Sequence, residues 1–267
     1  MTALRPRPIA LALAGLVAAF LLMPLLAIGP ISLTPARFLT MPHGQLSLTH
    51  YRDLVDNPDW ANSMLLSLRV GVASSAIATL LAAAFAIGVW MFQPRFVSVM
   101  LGVVLLPMVA PPIVSAMILY FFLTGLSRIS GTIGYDTWFG VTIAHVVMIV
   151  PFAVVLILVE LSQLDRRVDL AARGLGASVS QRIFRVILPN IRFGVVAAAL
   201  LTFILSWDEI GVTLFITSVN AITLPRLMWM GVHDNVDPAV AAISVVLILV
   251  TTAVLILRML LQREEAA

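Results

Sequence analysis

The chain has 267 residues, 61% of them hydrophobic and only 11% charged, with a net charge of +3. A soluble domain averages about 25% charged residues, so this composition excludes an ordinary water-facing surface, and the small dispersed positive charge argues against a nucleic-acid partner. There is no Cys, and all 16 basic residues are Arg; this excludes disulfides, thiolate metal sites, a Cys nucleophile, a P-loop Lys and Schiff-base chemistry.

A spanning helix needs about 20 mostly apolar residues, and six segments qualify, at 9–28, 64–92, 96–126, 138–159, 193–217 and 239–257. The first follows Arg5 and Arg7 as a signal peptide's apolar region would. Its run exceeds the 7–15 residues of such a region and no A-x-A-like site follows, so it is read as a retained helix. The polar stretch 29–62, with Asp53, Asp56 and Asp59, is expected to be an external loop with short helical pieces. The uncharged run of the second span begins after Arg69. The third carries Pro107, Pro111 and Pro112 and is expected to kink, because proline removes a donor and crowds the preceding turn. His145 interrupts the fourth span, and Asp208 and Glu209 interrupt the fifth. The expectation is an all-α membrane protein, one transmembrane domain over 1–267 with six transmembrane helices. Arg5, Arg7, Arg95, Arg166, Arg167, Arg173, Arg182, Arg185, Arg192, Arg258 and Arg263 fall on one side of such a domain. Arg37, Arg52, Arg128 and Arg226 fall on the other. By the positive-inside rule both termini and the loop 160–192 are cytoplasmic.

That loop is too long for a tight helix connection. Asp165 or Asp169 can serve the amino end of a short helix, Ala171 and Ala172 favour it, and Gly174 and Gly176 end it. A second helix over 179–188 is expected to stop at Pro189, with Ile183, Val186 and Ile187 as its apolar stripe. Composition alone favours an amphipathic segment lying on the bilayer surface.

The order of residues adds a resemblance. Leu170-Ala171-Ala172, then three residues, Gly176, nine residues and Val186-Ile187-Leu188-Pro189 resembles the EAA motif of permease subunits of binding-protein-dependent ABC importers (the type I, MetI-like family). The motif's Glu is replaced by Leu170, with Asp169 one position earlier. The stretch from Ala172 to Ser178, the run Ser206-Trp207-Asp208-Glu209-Ile210, Thr223-Leu224-Pro225 and Asp237-Pro238 are similar to the spermidine/putrescine permease subgroup. The resemblance implies a transport subunit with no catalytic residues, metal or cofactor of its own. It implies a second permease chain, two ATPase subunits that bind ATP and Mg, an external binding protein, and a place in a bacterial inner membrane. It further implies ATPase coupling through Asp169, Leu170, Ala171, Ala172, Arg173, Gly176, Leu188 and Pro189, and alternating access by rigid-body motion.

Charges within a span usually face a cavity or a partner. Running outward from residue 193, Asp208 lies about 22 Å along a helix, and His145 lies about 11 Å from the outer end of its own span. The two therefore share a similar depth. Adjacent residues on a helix point about 100° apart, so Asp208 and Glu209 cannot both face one pore unless the helix opens locally. Asp208 and Glu209 are candidates for a cation-selective pathway, Asp208 being the better single choice, against a structural interhelix hydrogen bond. Trp207 can stack on a cation or anchor at the interface. His145 is a pathway candidate that reads more simply as a satisfied interhelix histidine. The expected cargo is a small organic cation such as spermidine or putrescine. Another small solute, a secondary transporter or channel, and an intramembrane enzyme using Asp208 or His145 are the alternatives.

Overall fold

The computed structural model describes residues 8–42 and 44–265. Arg5 and Arg7 of the charge pattern lie outside the described residues, as do the side chains of Arg258 and Arg263. Among the described residues there is helix and loop but no strand. The helices are α1 (Pro8–Ser32), α2 (Thr49–Asp56), α3 (Pro58–Phe92), α4 (Val97–Val109), α5 (Pro112–Ser127), α6 (Trp138–Gln163), α7 (Arg166–Gly174), α8 (Val179–Arg182), α9 (Leu188–Asn190), α10 (Arg192–Trp207), α11 (Thr213–Ile216), α12 (Leu224–Met230) and α13 (Ala239–Glu265), with π-helical turns at Ile183–Ile187 and Gly231–Asn235. Four helices are long and apolar enough to cross a membrane, and two sharply bent pairs raise the candidate spans to six. The chain forms two compact units, residues 1–61 with 227–267, and residues 62–226.

In the first unit α13 packs against α1 and α2. The apolar window of α1 buries nothing within the chain, as suits a helix that meets lipid or another subunit. The loop before α2 is pinned by backbone bonds from Ser47 N–H to Leu33 O (2.8 Å) and from Leu39 N–H to Val236 O (3.1 Å). His50 on α2 is buried, with Nε2 3.1 Å from the carbonyl of Ala36.

In the second unit α3 turns a face of small residues inward. Ser67, Ser74, Ala78, Ala82 and Ala86 are buried at helical spacing, and small residues let membrane helices approach closely. A Cβ on Gly71 would lie 3.0 Å from the Phe203 ring, and one on Gly194 would lie 2.6 Å from the Glu160 side chain. One core cluster joins Ala86 and Trp90 of α3, Val154, Ile157 and Leu161 of α6, Ile187 and Ile191, and Ala198 of α10. A second joins Val70, Leu119 and Leu123 with Val141, Ala144, Val212 and Ile216.

Prolines set two of the breaks. Ala110 and Pro111 each precede a proline and adopt extended ψ values of 141° and 132°, the conformation forced on residues before proline. Pro112 then opens α5 in the first helical turn, where its missing N–H costs nothing. The result is a 101° bend between α4 and α5. The helix expected over 179–188 does not stop at Pro189. It widens into the π turn at Ile183–Ile187 and runs on to Asn190. A wider turn relieves the clash between the Pro189 ring and the carbonyl four residues earlier. A 74° bend then leads into α10. The run expected as one helix over 193–217 is likewise two pieces, because α10 ends at Trp207 and α11 begins at Thr213.

Candidate functional site

The break between α10 and α11 falls on the two acids. Asp208 is the C-cap of α10, its N–H donating to Ile204 O at 3.1 Å, and it is exposed. Glu209 folds back on the following turn. Its Oε1 accepts the Val212 N–H at 2.8 Å, and its carbonyl accepts the Thr213 hydroxyl at 3.0 Å. The opened backbone thus sends adjacent carboxylates into different surroundings. Glu209 lines a cavity of about 390 Å³ together with Pro107 to Pro112 at the α4–α5 break, Met148, Ile149 and Phe152 of α6, and Leu205. Asp208 does not line it.

His145 on α6 is 1% exposed. Nδ1 lies 2.8 Å from Ser206 Oγ and Nε2 lies 3.0 Å from Thr213 Oγ1. Thr213 spends its own proton on the Glu209 carbonyl, so Nε2–H donates to Thr213, and Nδ1 shares a hydrogen bond with the Ser206 hydroxyl. The imidazole therefore bridges the last turn of α10 and the first residue of α11 across the break. Trp207 is half-buried and tilted against Phe203, with ring centroids 6.0 Å apart. The structure brings Glu209 and His145 to one node through Thr213, and leaves Asp208 outside it. Thr213, Met148 and Phe152 escaped sequence reasoning, and Ser206 entered it only as part of the 206–210 run, because apolar and hydroxyl residues in a membrane helix carry no signal until a partner is known.

The loop between α6 and α10 is the second candidate region. Asp165 caps α7, its Oδ1 accepting the Arg167 N–H at 2.9 Å. The helix ends in a Schellman motif, with Ala177 N–H to Ala172 O (3.1 Å) and Gly176 N–H to Arg173 O (3.0 Å). That motif requires the left-handed backbone of Gly176, at φ +81°. Ser178 opens α8 with a capping box closed by Gln181. Leu170 and Leu175 are 61% and 89% exposed; Ala171 and Arg173 are exposed beside them, and Ala172 is half-buried. Asp169 points the other way, into a bidentate pair with Arg182: Nε to Oδ1 at 2.7 Å and Nη2 to Oδ2 at 2.5 Å. Hydrogen bonding to Asp169, partly opposed by burial, raises the Arg182 pKa further above its usual value. Leu188 is half-buried and Pro189 exposed at the foot of α10. Arg166 lies over the Trp90 ring at 5.3 Å.

A third feature was missed by sequence reasoning. Asp136, between α5 and α6, accepts backbone N–H groups from Ser218 (2.7 Å), Val219 (3.0 Å), Asn220 (3.0 Å) and Ala221 (3.1 Å). Burial alone would raise this carboxyl's pKa, but the four donors outweigh it and hold the pKa below the ordinary carboxylate value. The partners lie more than 80 residues away in sequence, so no local pattern announces them.

Comparison with known proteins places this architecture. The model of the family described as "binding-protein-dependent transport system inner membrane component" matches residues 75–265. The chain belongs to that family, the permease subunits of ABC importers, which are transport components and not enzymes. It is 28% identical to the spermidine/putrescine transport system permease protein PotC of Haemophilus influenzae, over 80% of this chain and 81% of that protein. It is 32% identical to a probable molybdenum ABC transporter permease of Haloferax volcanii, over 73% and 74%. Among solved structures it resembles a bacterial ABC transporter involved in the import of the acidic polysaccharide alginate, with TM-score 0.72 at 15% identity, covering 96% of this chain and 94% of that one.

Proposed function

We propose that this chain passes a small organic cation, a polyamine such as spermidine or putrescine, across a bacterial inner membrane. In this reading the cation is delivered by an external binding protein and moved by alternating access. The observation that carries the cation reading is the Glu209 carboxylate at the wall of an otherwise apolar cavity between two broken helices. Removing an unpaired carboxylate from water is unfavourable, and a passing ammonium would compensate it. Asp208 supplies a second negative charge at the exposed end of α10, and Trp207 beside it offers a ring face to the same cation. His145 holds the break in shape. The kinship to PotC supports the polyamine choice.

ATP and Mg belong to two partner ATPase subunits, which seat against α7 and the Gly176 turn. Exposed Leu170, Ala171 and Leu175 would meet that partner, with Arg173 toward its acidic groups. A second, homologous permease chain completes the pathway. Both termini and α7 face the cytoplasm.

The kinship to a molybdenum permease favours a second reading, an oxyanion cargo. The two acids at the α10 break repel an anion, which is why the cation is preferred. Uptake into proteoliposomes holding the whole complex, with its binding protein, separates them. Spermidine or putrescine should accumulate with ATP while molybdate does not; ATP-driven molybdate uptake without polyamine uptake would overturn the assignment.

A further inference from the structure

The helix α7 has nine residues, too few to hold itself together in water. Its covalent link to α8 is a short turn through Gly176, which the Schellman bonds tie to the end of α7 while the capping box ties Ser178 to the start of α8. Those bonds hold each helix end but do not join the two helix bodies. Asp169 and Arg182 join them from inside. They stand 13 positions apart and are 8% and 9% exposed. Two parallel N–H···O bonds of an Arg fork fix orientation as well as distance. Beyond Arg182 the chain passes through the π turn to Ile187 and Ile191, which are 0% and 1% exposed and sit against Ile157 and Leu161 of α6. Ile191 leads directly into α10 and so toward Ser206 and Glu209. Leu170, where the family motif carries Glu, faces outward and leaves the charged contact inside the loop to Asp169.

We propose that the Asp169–Arg182 pair is the positioning element that makes α7 and α8 one rigid body, so that displacement of α7 is passed to α10 and the Glu209 cavity. The inference rests on α7 being the ATPase contact. A merely structural pair would contribute to assembly but would leave the coupling between nucleotide and cavity intact.

The experiment uses the full complex with Leu205→Cys as reporter in the cavity wall, this chain having no native Cys and the partner chains being made Cys-free. Maleimide reactivity is compared with and without ATP and Mg. Asp169→Asn and Arg182→Gln are each expected to shrink the ATP-dependent change roughly two- to thirtyfold, counted per inserted complex. The charge swap Asp169→Arg with Arg182→Asp is expected to recover at least half of it. A full ATP response in both single variants, or a swap no better than they are, overturns the proposal. If the single variants fail to insert, the inserted swap decides alone: a response supports the proposal and its absence overturns it. Failure of the coupling reading itself looks different. It is marked by Leu175→Asp, with the ion pair intact, keeping both ATPase binding and the ATP response.

Discussion

Adjacent Asp208 and Glu209 meet opposite environments, and that difference sets their expected roles. Glu209 faces the cavity and also closes the α10–α11 turn through Val212, whereas Asp208 is exposed. Glu209→Gln is therefore expected to lower polyamine uptake about tenfold or more, as for a charge removed from a desolvated pair, with the complex still assembled. Asp208→Asn should lower it less. The comparison is one uptake assay run on both variants; a larger loss at Asp208 would hand it the main role. At Asp136 the expectation concerns pH. Asn in its place would set an amide donor against backbone donors, lowering stability by about 1–3 kcal/mol. Because the folded-state pKa is depressed, the stabilisation is complete above the ordinary carboxylate value of about 3.9. It is lost as pH falls through the lower folded value. The melting-temperature gap between the native chain and Asp136→Asn should thus be constant from neutral pH to about pH 5 and close only below about pH 4. A gap already closed at pH 5 would show that the ionised carboxylate is not what holds the 218–221 loop.

Broken helices shape the candidate site of this chain, and each break has a local cause. Pro111 and Pro112 cause the first, and Pro189 accounts for the π turn before the second. At the α10 break no proline intervenes. The turn is held by side chains, with Glu209 on Val212 and His145 bridging Ser206 and Thr213. His145→Ala leaves both hydroxyls without their ring partner, and should destabilise the complex by about 1–3 kcal/mol, since interhelix hydrogen bonds in membranes are individually weak. Unfolding followed by thermal melting of the detergent-purified complex reads this directly, and an unchanged midpoint would remove His145 from the hinge. In the loop between α6 and α10, Gly176→Asp has open space for a side chain but must adopt a φ of +81°, a cost of roughly 1–2 kcal/mol for a residue with Cβ. The expected outcome is inserted protein with ATP-driven uptake lost. Normal ATPase co-purification together with substrate-stimulated hydrolysis would refute docking at this turn.

Across the molecule, the Arg asymmetry sets the expectation of one orientation. A Cys introduced at Arg173 should be labelled only from the cytoplasmic side and one at Asp53 only from outside, which the Cys-free chain allows to be read without background. Labelling of position 173 by an impermeant reagent applied outside would invert the arrangement and with it the coupling assignment.

The helical membrane class, the proline kink and the Gly-turn loop were all visible in the amino-acid order, because each follows from one contiguous stretch of chain: an uninterrupted apolar run, three prolines close together, an EAA-like spacing. The family was visible for the same reason. Tertiary structure alone decided which acid faces the cavity, since that depends on how the chain opens after Trp207. It also decided that Asp169 turns inward to Arg182 and that Asp136 gathers the 218–221 loop. Those contacts join residues between 13 and 85 positions apart. Local propensity governs a helix's existence over a few residues, but a side chain's partner is fixed only once the helices have packed.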